Sequence, residues 1–178
     1  MPILPKEEHL HPPDLLVRES PCVEDAHWLA LHTKPRQEKA VARVARTRQI
    51  PFYLPLVRKQ NRVRGKIVDS YSPLFAGYLF AQINEDQRLQ LLKTNSVVQM
   101  IEVTDEQQFA KELRNLEALI SADAPVTIER KLEAGRWVRV KSGPMKGTEG
   151  VVVSRRGKDR LVVAVTLLQQ GVSVEMED

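Results

Sequence analysis

From His27 the chain alternates, with Trp28, Ala30 and His32 on one parity and Leu29, Leu31 and Thr33 on the other. A period of two predicts a β-strand. Pro35 then stands where a first helical turn would begin, and RQEKAVARVARTRQ sets Val41, Val44, Ala45 and Arg48 on one stripe with Lys39, Arg43 and Arg46 away from it. That spacing predicts an amphipathic helix with a basic outer face. PFYLPLVRK resumes an extended pattern, in which Pro55 lacks a ladder donor and suits an edge or irregular strand. In NRVRGKIVDSYS, Gly65 separates Val63 from Ile67 and Val68, and predicts a β-hairpin whose tip carries Arg62, Arg64 and Lys66.

The next run, PLFAGYLFAQI, is apolar on both faces, with Tyr78 and Phe80 on one and Leu79, Ala81 and Ile83 on the other. Such a strand lies centrally in its sheet, covered on each side. Asn84, Glu85 and Asp86 then give a helix start, SVVQMIEV gives another strand, and Phe109, Leu113, Leu116 and Ile120 mark a second long helix ending near Ser121. This order predicts an α+β fold, an N-terminal sandwich of helices on a mostly antiparallel sheet.

Beyond Ser121 the texture changes. SADAPVTIERK has no sustained period and reads as a linker, and from Arg136 come short strands split by turn signals: RWVRV, GPMKG, GVVVS, RRGKD, RLVVAV, LQQG, VSVEM. Four or five strands without a helix predict a small C-terminal β-barrel. RLVVAVTLLQQ is ambiguous between strand and helix, but its valines, and the glycines at 143, 147, 150, 157 and 171, favour strands. Residues 1–25 hold five of the eleven prolines and read as a flexible tail. The expected domains are therefore a tail over 1–25, a sandwich over 26–121, a linker over 122–132 and a barrel over 133–178.

Composition narrows the function. With 178 residues, 42% hydrophobic and 28% charged, the chain reads as a soluble globular protein. It lacks any apolar stretch long enough to span a membrane, and its proline-broken start is not a signal peptide, so a cytoplasmic, membrane-free protein is expected. Cys22 is the only cysteine, in keeping with a reducing compartment. The net charge of +4 conceals an asymmetry, because eleven Lys and Arg against Glu38 alone lie between Lys34 and Lys66. That stretch is a candidate for a polyanion. His9, His11, Cys22 and His27 are too loosely spaced to predict a metal site, and no phosphate loop, nucleophile elbow or paired-carboxylate motif occurs. A binding protein without cofactor or metal is expected, not an enzyme.

VRVKSGPMKGTEGVVV, with Gly143, Pro144, Gly147 and Gly150 between two alternating strands, resembles the KOW motif. HWLALHTKPRQEKAVARV, then VRGKIVDSYSPLFAGYLFAQI, then LLKTNSVVQMIEV resemble the N-terminal domain of the NusG family, and the resemblance runs from about Trp28 to Glu177. VRGK followed by PLFAGYLF is closer to the specialised paralogues of RfaH type. Two positions depart from the family pattern, Ala76 where a proline is usual and Leu168 near the usual aromatic of the barrel.

The resemblance implies an SH3-like KOW barrel and a monomeric transcription elongation or antitermination factor. Its polymerase-binding surface, which grips the clamp coiled coil of the largest RNA polymerase subunit, is implied at His32, Phe75, Gly77, Tyr78 and Phe80. Upstream or non-template DNA is implied at Lys34, Arg36, Arg43, Arg64, Lys66 and Arg88. The KOW domain, at Leu168, is implied to recruit a small-subunit ribosomal protein or Rho. The alternative is a KOW-type ribosomal or RNA-binding protein, in which the barrel carries the function.

Overall fold

The computed structural model of the chain describes residues 6–122 and 124–177. They form two compact units that divide between Thr104 and Asp105.

In the first unit, numbering strands in chain order, β1 (Leu10–His11), β2 (His27–Thr33), β3 (Phe52–Tyr53), β6 (Tyr78–Ile83) and β7 (Val97–Glu102) make a five-stranded sheet ordered β1-β3-β6-β2-β7. Every pairing is antiparallel, and β6 lies in the middle between β3 and β2. The two-sided apolar pattern of residues 78–83 demands this place, because Leu79, Ala81 and Ile83 join the core on one side while Phe80 is buried on the other. On the first side lie helices α1 (Glu38–Thr47) and α2 (Glu85–Leu92), which contribute Val41, Ala42, Ala45 and Leu91 to the same core as Leu29, Leu31 and Phe52. Arg48 does not share that stripe and is exposed at the end of α1. The helix stops there: Gln49 adopts a left-handed conformation (φ 57°) and the Ile50 N–H donates to the Ala45 carbonyl at 2.8 Å.

Asn84 caps α2 reciprocally, its side chain accepting from the Gln87 N–H at 3.0 Å while the Gln87 side chain accepts from the Asn84 N–H at 3.2 Å. Between β3 and β6 runs a separate two-stranded hairpin, β4 (Leu56–Val63) with β5 (Lys66–Pro73). Its two-residue loop is Arg64 and Gly65, both at positive φ (51° and 78°), the geometry whose twist matches the flanking strands. Leu56 and Val57 anchor the base, whereas both strand ends at the tip are exposed. Eight residues per strand carry the tip about 25 Å from that base.

Residues 1–5 of the expected tail lie outside the described residues, but 6–25 are laid onto the first unit rather than loose. Leu10 and His11 pair with Tyr53 and Phe52, the Leu54 N–H donates to the His9 carbonyl at 2.7 Å, and Leu15 and Leu16 are buried. Prolines obscure any local period there, and the strand partner lies some forty positions away.

The second unit joins α3 (Glu106–Ser121) to β8 (Val126–Glu129), β9 (Arg136–Arg139), β10 (Glu149–Arg155), β11 (Lys158–Val165) and β12 (Gln170–Glu175). The sheet is antiparallel, ordered β8-β12-β11-β10-β9, around Leu161, Val163, Val165, Val172 and Val174. The ambiguous RLVVAVTLLQQ resolves into β11 followed by a single 3-10 turn over Thr166–Leu168. The expected linker over 122–132 contains β8, in which Ile128 pairs with Val172. Helix α3, expected in the sandwich domain, packs on β11, and Glu112 accepts from both the Thr166 N–H (3.1 Å) and its hydroxyl (2.5 Å). These bonds cross more than fifty residues, beyond any local pattern.

Candidate functional site

The aromatic stretch around Gly77 divides sharply. Phe75 and Phe80 are buried, at 1% and 0% exposure, with their rings edge to face 6.2 Å apart, and Phe80 also meets Tyr53 at 6.4 Å. They therefore do not belong to an exposed docking face, where the sequence reading set them. Phe80 lies on a strand with both faces covered and Phe75 in the loop leading into it, and large aromatics release most free energy by complete burial, here in the packing beneath the site.

His32 and Tyr78 differ. They face each other across the β2–β6 pairing, both half-buried, with their rings stacked at 4.8 Å and 14°. Gly77 supports this pair. Its φ of 84° is costly for any other residue, and a β-carbon there would sit 3.4 Å from the His32 ring. Its backbone is held on both sides, because the N–H donates to the buried Glu38 carboxylate at 2.6 Å and the carbonyl accepts from the Thr33 N–H at 2.8 Å. Glu38 lies in the first turn of α1, so it ties that helix to the loop preceding β6. Sequence reasoning missed it, since a lone acid in a basic run looks like a solvated charge. The result is a small, rigid aromatic step at one end of the sheet, with a shifted register at His32/Thr33 directing the chain into the loop beyond.

Exposed Lys34 and Arg36 lie in that loop, Lys34 being fixed by its N–H donating to the Ser96 carbonyl at 2.8 Å. The structure thus brings the first two cations next to the aromatic step. Arg64 and Lys66 are exposed as well, but at the far tip of the hairpin. Arg88 is half-buried on α2 and pairs with Glu85 at 3.5 Å. Arg43 is exposed on α1 yet engaged, donating to Glu7 from Nε at 3.0 Å and from Nη2 at 2.5 Å. One helical turn away Arg46, which the sequence places on the same basic face without a site role, holds Glu8 in the same two-pronged way. The hydrogen bonds from Arg43 and Arg46 hold the Glu7 and Glu8 carboxyls below the ordinary carboxylate range, and both guanidinium pKa values are raised in turn.

In the second unit Leu168 ends the 3-10 turn between β11 and β12 and is half-buried, while its neighbour Leu167 is the more exposed. Among the described residues no group of three or more His, Cys, Asp and Glu side chains could hold a metal ion, and no helix is long and apolar enough to cross a membrane. His9 and His11 lie instead against the rings of Tyr53 (6.2 Å) and Phe52 (6.4 Å). Burial raises the half-buried Cys22 thiol.

Comparison with known proteins gives one family match, to the model described as "Transcription termination factor nusG", over residues 26–121. That span covers more than half of the chain and runs through α3. Among solved structures, one described as "Domain interaction in Thermotoga maritima NusG" is similar at 16% identity and a TM-score of 0.42, covering 85% of this chain and 93% of that one. No curated protein matches the chain.

Proposed function

Because the chain belongs to the NusG family, a family of transcription factors, we propose that it is a transcription elongation or antitermination factor that docks on RNA polymerase through the His32–Gly77–Tyr78 step. The stacked His32–Tyr78 pair carries this reading. It is the accessible part of the aromatic cluster, it is held by a glycine at positive φ and a buried carboxylate, and rigid aromatics desolvate at little entropic cost when they become interface anchors. The implied partner is the tip of the clamp coiled coil of the largest subunit.

Lys34 and Arg36 beside the step, with Arg64 and Lys66 at the hairpin tip, supply separated positive charges suited to upstream or non-template DNA. Phosphate contacts of this kind attract without reading sequence and weaken steeply with salt. A protein that binds the closed, active polymerase better than the paused one shifts that equilibrium by its difference in affinity alone. No covalent chemistry is needed. The second unit, in the role of a KOW domain, recruits a further partner, Rho or a small-subunit ribosomal protein, through the 3-10 turn that carries Leu167 and Leu168.

Co-purification with RNA polymerase tests the docking assignment. The double variant His32→Ala/Tyr78→Ala is expected to weaken binding about tenfold or more and to abolish any effect on pausing, with an unchanged circular dichroism spectrum. Full polymerase binding by the folded double variant would overturn it.

A further inference from the structure

The segment before β1 is an arm with two carboxylates among its first described residues. It is anchored by the β1–β3 pairing, by the Leu54–His9 hydrogen bond and by buried Leu15 and Leu16. Its first described residues reach two elements of the first unit. Glu7 and Glu8 engage Arg43 and Arg46 on α1, and the Lys6 ammonium lies 5.6 Å from the centre of the Tyr71 ring on β5.

The carboxylate contacts contribute little to holding the arm down. Arg43 and Arg46 remain 62% and 42% exposed, and ion pairs in that setting add little net stability. What they do is occupy. Arg43 and Arg46 stand three positions apart and so share one face of α1, and each presents its guanidinium fork to both oxygens of one carboxylate. The same fork engages two oxygens of a phosphodiester. Two forks side by side make a site for two adjacent anions within the most basic stretch of the chain.

We propose that Arg43 and Arg46 form a phosphodiester-binding site on α1, and that the Glu7–Glu8 arm fills it as an intramolecular stand-in that nucleic acid must displace. Of the described residues only 6–8 need to move, since β1 and the leucines hold those that follow. The arm lowers casual binding to any polyanion at this helix, and leaves engagement to DNA already held by the exposed cations at positions 34, 36, 64 and 66. The inference rests on the nucleic-acid reading given above and concerns its regulation.

The test is fluorescence anisotropy of the full chain with a labelled 20-bp duplex and a labelled single strand across a salt series. Glu7→Gln/Glu8→Gln is expected to tighten binding about three- to tenfold at low salt. Its plot of log affinity against log salt should also steepen by about two, because two further cations now release counterions. Glu19→Gln/Glu24→Gln, the same change in net charge at exposed acids of the same segment, should leave the slope unchanged. Adding Arg43→Ala/Arg46→Ala to the Glu7→Gln/Glu8→Gln chain should return the slope to that of the original protein. If the original protein binds but Glu7→Gln/Glu8→Gln keeps its slope, or gains no more than the control, the arm is not a stand-in and the inference falls alone. If none of the proteins binds either strand, the nucleic-acid reading falls with it.

Discussion

Among the carboxylates that rest on cationic side chains, two in the first unit and two in the second form a contrast, and burial gives them opposite roles. Glu7 and Glu8 lie on α1 at the surface. Glu129 and Glu149 are buried in the second unit. Glu129, on β8, accepts from the Ser173 hydroxyl of β12 at 2.5 Å and from Arg155 of β10 at 2.9 Å through both oxygens. Glu149, on β10, accepts from Arg139 Nε of β9 at 2.7 Å and pairs with Lys111 of α3. A buried carboxylate that leaves such partners strands an unsolvated charge, so these two staple distant elements together. An exposed carboxylate leaves into water, which replaces most of what it loses. The same pairing chemistry is a staple in one unit and a latch in the other.

Removing a staple should have the largest effect. Glu129→Ala leaves the buried Ser173 hydroxyl without its acceptor and Arg155 with Glu133 alone, and should cost about 2 kcal/mol, measured by urea unfolding of the full chain. A loss under about 1 kcal/mol would show that the contact is no staple.

Acid should act in the same direction, more gradually. Burial works against ionisation of Glu129, yet hydrogen bonds from Ser173 and Arg155 and the nearby Arg155 and Arg160 charges hold its carboxyl below the usual range. Hydrogen bonds from Lys111 and Arg139 do the same for Glu149. A folded-state pKa below the unfolded value of 4.5 gives stability that is fully present above that value and fades as the pH falls through the folded one. Thermal melts between pH 6 and 3 should show this decline, and Glu129→Ala should flatten it. An equally steep decline in the variant would place the titration elsewhere.

The smallest effect belongs to the latch. Glu7→Gln/Glu8→Gln should keep the melting midpoint within about 2 °C of the original protein, because the arm is anchored by β1 and its leucines rather than by these pairs. A drop as large as that of Glu129→Ala would erase the distinction between the two settings.

Local chemistry made much of this legible beforehand. The alternation at Trp28–Thr33, the Asn84 cap, the hairpin turn at Gly65 and the two-sided strand at Tyr78–Ile83 each follow from a handful of neighbouring residues, and the structure keeps all four. The strand β8 escaped because four residues carry too little period to stand out beside Pro125. Helix α3 was legible as a helix, but its packing on β11 depends on Thr166 and Glu149, which lie far along the chain.

The candidate site shows the same division more finely. That aromatics gather around a glycine beside a basic stretch is written in residues 71–80 and 34–66. Which of those aromatics stay open is only partly so: the Tyr78 hydroxyl sets that residue apart from Phe75 and Phe80, but the complete burial of both phenylalanines depends on what the fold packs around them. Which cations stay free is not, because Arg43 and Arg46 meet their carboxylates across 36 and 38 residues. Propensity, capping and turn geometry act between neighbours, so the sequence by itself determined the elements. Burial and charge pairing act between whatever the fold brings together, and the tertiary structure alone decided which residues remain available to a partner.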